Sequence, residues 1–203
     1  ITGRDLFGKV RENMDALLDA GIPFKLNAVA MRGFNDDELP AFVDYAMHHP
    51  IDVRFIEFMP MGEGTRWSDS CFWSAPDILD AVKGLVAVVP VEQEQRNGGP
   101  ARLYTLSGPD GPGLGRLGLI SPLSSHFCTS CNRLRITSDG ALRTCLFDDR
   151  EYRLRNALRH PKLGIEAVRR IVTLATRDKP IGARLLERRH NAVAQRRMTA
   201  IGG

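Results

Sequence analysis

Apolar residues recur at two different periods along this chain, and the change from one to the other divides it. Across 5–20, Leu6, Phe7, Val10, Met14, Leu17 and Leu18 fall at helical spacing, and Gly21 supplies a stop. FKLNAVA at 24–30 alternates as a strand does. NDDELPAFVDYAMHH at 35–49 opens with capping and acidic residues, so it reads as a helix. IDVRFIEFM at 51–59 predicts a second strand, SAPDILDAVKG at 74–84 a helix capped by Ser74, and LVAVVPVEQ at 85–93 a further strand. This rhythm predicts parallel strands joined by right-handed crossovers.

After QRNGGP at 95–100 the helical period gives way. ARLYTLSG, GRLGLISPL and NRLRITSDGALRTCLF read as antiparallel strands, with SDGA as a hairpin turn. Two helices are expected near 151–159 and 164–177, followed by a basic tail ending in AIGG. The prediction is an α/β fold of two units: a parallel part at 1–94 and a smaller α+β part at 95–203. A barrel or doubly wound sheet made from so few βα units would leave strand edges unpaired. Together with the opening on Ile1, this suggests a piece of a longer chain.

Composition changes this picture little, and charge somewhat more. At 203 residues the chain can bury a core, and it has neither an apolar run of membrane-spanning length nor a signal peptide. A cytoplasmic location follows, where clustered cysteines point to metal rather than to disulfides. The net charge of +4 conceals an asymmetry, because from Arg150 onward only Glu151, Glu166, Asp178 and Glu187 are acidic. A basic lobe is either a solvated helical surface or a seat for a polyanion such as a nucleoside triphosphate or nucleic acid.

Three of the four cysteines lie in HFCTSCNRLRITSDGALRTC at 126–145. Cys128 and Cys131 form C-x2-C, and the Asp139–Gly140 turn folds the chain back so that Cys145 returns beside them. Three thiolates leave one coordination place open. A Cys3His zinc site would recruit His126, two residues from Cys128 and cramped for joint chelation. An iron–sulfur cubane would instead keep one iron open to a substrate donor atom. Arg133 and Arg135, two apart in a strand, share a face, where they either reach one anionic or purine ligand or simply meet solvent. Arg143, on the partner strand, is a weaker candidate. Cys71 reads as an ordinary buried thiol, and Trp67 and Trp73 as packing. GLGRLG at 113–118 satisfies a dinucleotide pattern but lacks the following helix, so it reads as a glycine-rich turn between strands.

SPLSSHFCTSCNRLRITSDGALRTCLF resembles the C-terminal cluster motif of the GTP 3′,8-cyclases, the MoaA family of radical S-adenosylmethionine enzymes that begin molybdenum cofactor synthesis. ITGRD, KLNAVAMRGFNDDE, VRFIEFMPMGEG and the final IGG follow in the family's order. The resemblance implies the C-terminal part of an incomplete (β/α)6 radical barrel, plus an α+β domain that carries a 4Fe–4S cluster. It further implies that Cys128, Cys131 and Cys145 hold that cluster and that its free iron binds the guanine. Arg133, Leu134, Arg135 and Lys25 would contact GTP, Arg54 would lie in the active site, and Met59 would pack against S-adenosylmethionine. The Gly202–Gly203 tail would reach toward the catalytic centre. The implied lyase reaction uses a 5′-deoxyadenosyl radical to join ribose C3′ to guanine C8, and its product passes to the next enzyme of the pathway. A homodimer is compatible with it; membrane and nucleic-acid partners are not expected. The family's C-x3-C-x2-C motif, which holds the second cluster and cleaves S-adenosylmethionine, does not occur in this sequence. This chain alone is therefore expected to lack the radical-generating step. The rival reading is a zinc module with a basic nucleic-acid-binding surface.

Overall fold

A computed structural model describes residues 5–62, 64–92, 99–189, 194 and 200. The chain forms two compact units, Ile1–Glu57 with Cys71–Ser124, and Phe58–Ser70 with Ser125–Gly203. The division expected at 94/95 is therefore not the one the contacts make. Two of the antiparallel strands expected in the second unit, ARLYTLSG and GRLGLISPL, belong to the first, whereas the hairpin stays in the second. The segment holding Met59 belongs to the second.

The first unit runs α1 (Phe7–Asp19), β1 (Lys25–Ala30), α2 (Leu39–His48), β2 (Asp52–Glu57), α3 (Ala75–Lys83), β3 (Ala87–Pro90), β4 (Arg102–Gly108) and β5 (Gly111–Ile120). Its five strands form one sheet in the order β1-β2-β5-β4-β3. β1, β2 and β5 are parallel, whereas β4 pairs antiparallel with both β5 and β3. Alternation along the strands separates two faces. Val53 and Phe55 point to the side where Val43, Ala46, Ile78 and Val82 close the main core, and Phe42 meets Phe55 edge to face at 5.4 Å. The opposite face carries Lys25, Asn27, Asp52, Arg54 and Arg116, which the strand register places together.

GLGRLG is not a turn. It lies inside β5, and its glycines serve close packing. A methyl group on Gly115 would strike the backbone oxygens of Ala46, His49 and Ile51, and one on Gly118 would stand 2.7 Å from the Arg54 Cγ. Three other expectations need adjusting. β2 ends at Glu57, two residues before Met59. The NDD residues do not cap α2. Asn35 instead accepts from Met31 N at 2.9 Å and donates to Val29 O, shaping the preceding loop. α1 has its expected span, but Phe7 is 77% exposed and the helix has no fully buried residue. Ser74 does cap α3, accepting from Asp77 N at 3.2 Å.

Glu57, one of the largest fully buried side chains, organises the C-terminal end of β2. Its carboxylate accepts from Ala75 N at 2.8 Å, Leu123 N at 2.8 Å and Ser124 N at 3.0 Å, and from the Ser124 hydroxyl. A buried anion at the start of α3 is stabilised by the helix's free N–H groups. The same oxygen pair fixes the loop after β5, which leads toward the cysteines.

The second unit contains the short hairpin β6 (Arg135–Ile136) and β7 (Leu142–Arg143), then α4 (Leu154–Arg159), α5 (Gly164–Arg177) and α6 (Gly182–Arg189). α4 begins later than the expected 151, and α6 was not anticipated in the basic tail. Gly140, at φ 81°, makes the expected turn. Two described tail residues are anchored: Ala194 O accepts from Gly62 N, and Ala200 O accepts from Ser138 N. Gly202 and Gly203 lie outside the described residues. Among the described residues no helix is long and apolar enough to cross a membrane.

Candidate functional site

In the second unit, a one-turn helix at Cys128–Ser130 brings the C-x2-C pair into a tight loop, closed by Cys131 N donating to Cys128 O. The hairpin returns Cys145 beside it, and all three thiols are free and half-buried. Gly182, the first residue of α6, shows how close two of them, Cys145 and Cys128, come. A methyl placed there would stand 2.8 Å from Cys145 Sγ, 2.9 Å from the Phe147 ring and 3.8 Å from Cys128 Sγ. Glycine lets the Cys145 sulfur and the Phe147 ring pack against the start of α6, and the helix N-terminus beside the sulfurs favours anionic ligands.

Cys131 and Cys145 differ in character. Burial pushes Cys131 up, but a backbone N–H of Arg133, the Lys179 ammonium and the Arg133 charge outweigh it, leaving its pKa below the ordinary thiol value. Burial dominates at Cys145, whose pKa is raised despite an N–H from Phe147, with the Cys128 charge adding to the rise. Burial also lowers Arg135, with Arg133 adding to the effect, while Cys131 and Cys145 favour its charge. Arg135 therefore senses two of the three thiols.

Only Arg135 of the two neighbouring arginines lies within β6, yet burial alternates along the whole stretch. Arg133 and Arg135 are partly covered, whereas Leu134 and Ile136 are exposed. Arg133 also lies over the Phe127 ring at 5.0 Å. Arg143 plays a different part from the one expected of it. It is 1% exposed, donates to Asp148 O, and pairs with Asp149 at 3.4 Å and Glu151 at 3.6 Å. Its guanidinium secures the loop after Cys145. Lys179, which follows the C-cap of α5, is the residue that sequence reasoning missed. Its ammonium donates to Cys131 O at 2.7 Å, Arg133 O at 2.9 Å and Cys131 Sγ at 3.3 Å.

Among the described residues no group of three His, Cys, Asp or Glu side chains is arranged to hold a single metal ion. A tetrahedral zinc with bonds of about 2.3 Å draws its sulfurs to within about 4 Å of one another. A 4Fe–4S cubane places each thiolate on a different iron, so its sulfurs stand apart around a shared space. Three unbridged thiols, with the Lys179 ammonium at Cys131 Sγ, are donors suited to such a cluster.

The first unit offers an anion-seeking face. Asp52 accepts from Arg54 Nη2 at 2.7 Å and from Arg116 Nε at 2.8 Å, so one buried carboxylate serves two guanidiniums. The stem of Arg54 lies across Gly118, and its buried Nε has no hydrogen-bond partner. Lys25, register partner of Asp52, is exposed on the same face. The cluster carries excess positive charge with unspent donors. Met59 is half-buried in the other unit, in a segment braced by Trp67 Nε1 donating to Phe58 O at 3.0 Å.

Comparison with known proteins places the chain among relatives of one kind. The chain is 43% identical over 203 residues to the GTP 3′,8-cyclase of Alkaliphilus oremlandii, covering 99% of this chain and 59% of that protein. It is 41% identical over 181 residues to that of Syntrophomonas wolfei, covering 89% and 54%. Over 204 residues it is 37% identical to that of Streptomyces coelicolor, covering 100% and 58%. The chain thus spans little more than half the length of these relatives. The profile described as Molybdenum Cofactor Synthesis C matches residues 51–185, from the residue before β2 through all three clustered cysteines into α6, and the chain therefore belongs to that family.

Proposed function

We propose that this chain works in a GTP 3′,8-cyclase, a radical S-adenosylmethionine lyase of molybdenum cofactor synthesis, and that its own task is to grip GTP. The observation that carries this is the set of three free thiols, with Cys128 and Cys145 against Gly182 and the Arg135 charge favoured by Cys131 and Cys145. Cys128, Cys131 and Cys145 would hold a 4Fe–4S cluster. When bound, that cluster supplies a Lewis-acidic iron without a protein ligand, available to donor atoms of guanine. The segment Arg133–Leu134–Arg135 would orient the base and Lys25 and Arg54 the phosphates, for which arginine forks and excess cationic charge are suited. Met59 would pack against S-adenosylmethionine, and Gly202–Gly203 would approach the reacting ribose. Multi-point grip on GTP matters because a reactive radical must meet one carbon and no other.

The five-stranded sheet, with β1 at its edge, would form part of a radical barrel. A second 4Fe–4S cluster would sit on the C-x3-C-x2-C motif that family resemblance calls for. The setting would be the cytoplasm, the assembly a homodimer, and the product would pass to the next enzyme of the route. The test is nucleotide binding by the anaerobically reconstituted chain, followed by calorimetry. GTP is expected to bind at least about tenfold more tightly than ATP, a preference lost in the cluster-free chain, since a site built for one base edge penalises another. Equal binding of GTP and ATP with and without iron would overturn the reading.

A further inference from the structure

Lys179 has the geometry of a residue that builds the cysteine loop rather than one that touches substrate. An ammonium has three N–H donors. Here they meet three acceptors: Cys131 O at 2.7 Å, Arg133 O at 2.9 Å and Cys131 Sγ at 3.3 Å. Nothing is left over for a ligand. The two carbonyls flank Asn132, so one charge fixes the chain from the second cysteine of C-x2-C to the first arginine of the NRLR run. That stretch has almost no regular structure of its own: the one-turn helix ends at Ser130 and β6 begins at Arg135. Without an outside tether, nothing in the ladder would set where Arg133 sits relative to Cys131.

The placement of Lys179 is equally specific. α5 ends at Arg177, Asp178 is its C-cap, Lys179 N donates to Thr176 O at 3.3 Å, and Pro180 prevents the helix from continuing. Lys179 thus leaves a rigid helix end with its side chain committed to the loop. Its third bond matters chemically. An N–H donated to a cluster thiolate, with a positive charge behind it, favours the more negative reduced state, as hydrogen bonds to cluster sulfurs generally do. The ammonium is also near enough to Cys145 to favour its thiolate.

We propose that Lys179 is a positioning residue: it locks the Cys131–Arg133 loop through both carbonyls and, through its N–H to Cys131 Sγ, raises the reduction potential of the cluster held there. This rests on the reading of Cys131 as a cluster ligand, but half of it can be tested without a cluster. In the cluster-free, reduced chain, Lys179→Met is expected to speed amide hydrogen exchange in the 128–134 peptide by roughly tenfold, the scale of a lost charged hydrogen bond. Exchange within α5 should stay unchanged, which shows that the chain is folded. Unchanged exchange at 128–134 overturns the locking role.

In the anaerobically reconstituted chain, redox titration followed by electron paramagnetic resonance should place the Lys179→Met midpoint below that of the native protein. Lys179→Arg, which keeps a charge and donors, should lie between the two. A folded Lys179→Met chain that loads no iron while Lys179→Arg loads it also supports the proposal. Equal midpoints for native and Lys179→Met overturn the electrostatic half, as does Lys179→Arg behaving identically to Lys179→Met. A native chain that takes up no iron and sulfide instead refutes the cluster reading, leaving the exchange result to decide the loop.

Discussion

Cys145→Ala is expected to retain less than about a tenth of the iron that the native chain takes up on anaerobic reconstitution. Loss of a direct ligand should exceed the ten- to hundredfold penalty typical of losing a mere supporting contact. GTP affinity should fall in parallel. The fold itself should survive, because the half-buried sulfur leaves behind only a small void, worth about 1 kcal/mol. Cys71→Ala is the matched control. Its backbone carbonyl accepts from Arg32 N at 3.0 Å, a bond the substitution leaves intact, and Cys71 lies in the other unit from the triad. Iron content by inductively coupled plasma analysis reads both. Full iron in Cys145→Ala would remove that thiol from the site, and loss of iron in Cys71→Ala would mean that the wrong cysteines have been grouped.

Arg54→Ala should weaken GTP binding by about ten- to a hundredfold, the value of one charged hydrogen bond to a phosphate, while leaving guanosine binding nearly unchanged. The separation follows from the face of the first unit. Asp52 neutralises only one of the two guanidiniums that it binds, and Lys25 adds a further exposed charge. Removing Arg54 leaves an Asp52–Arg116 pair without net charge, so the site should lose its affinity for polyanions in particular. The dependence of GTP affinity on salt should become shallower as well. Arg54→Lys should recover only part of the loss, because a point charge does not reproduce a planar fork. Equal losses for GTP and guanosine would assign Arg54 to the base instead.

How far these residues could be found from sequence depended on how local their causes are. The cysteine triad was legible because two of its members are three apart and a marked glycine turn returns the third. β1, β2 and α3 were legible from periodicity, and the α3 cap from Ser74. Most of β5 was legible in GRLGLISPL, but its first residues were read as a turn because their glycines imitate a loop. They are there to let the α2–β2 connection and the Arg54 stem lie against the strand, a requirement set by residues some 60 positions away. The unit boundary was displaced because no local pattern announces the parallel pairing of β2 with β5, which ties 102–120 to the first unit. Lys179 gave no signal at all: it lies 48 residues from Cys131, and a lysine after a helix reads as a solvated end. Glu57 was similarly silent, because its partners Ala75, Leu123 and Ser124 contribute mainly backbone N–H groups, which no side-chain pattern announces. Arg143 was misread because alternation gives the face of a side chain but not the loop that captures it.

The most direct measurement is Mössbauer spectroscopy of the anaerobically purified and reconstituted native chain, with iron and acid-labile sulfide counted on the same sample. Close to four irons and four sulfides per chain are expected, with one iron distinguishable from the other three and perturbed when GTP is added. Stoichiometric zinc without sulfide, or four equivalent irons indifferent to GTP, would contradict a cluster held by three thiols with its last corner free for the base.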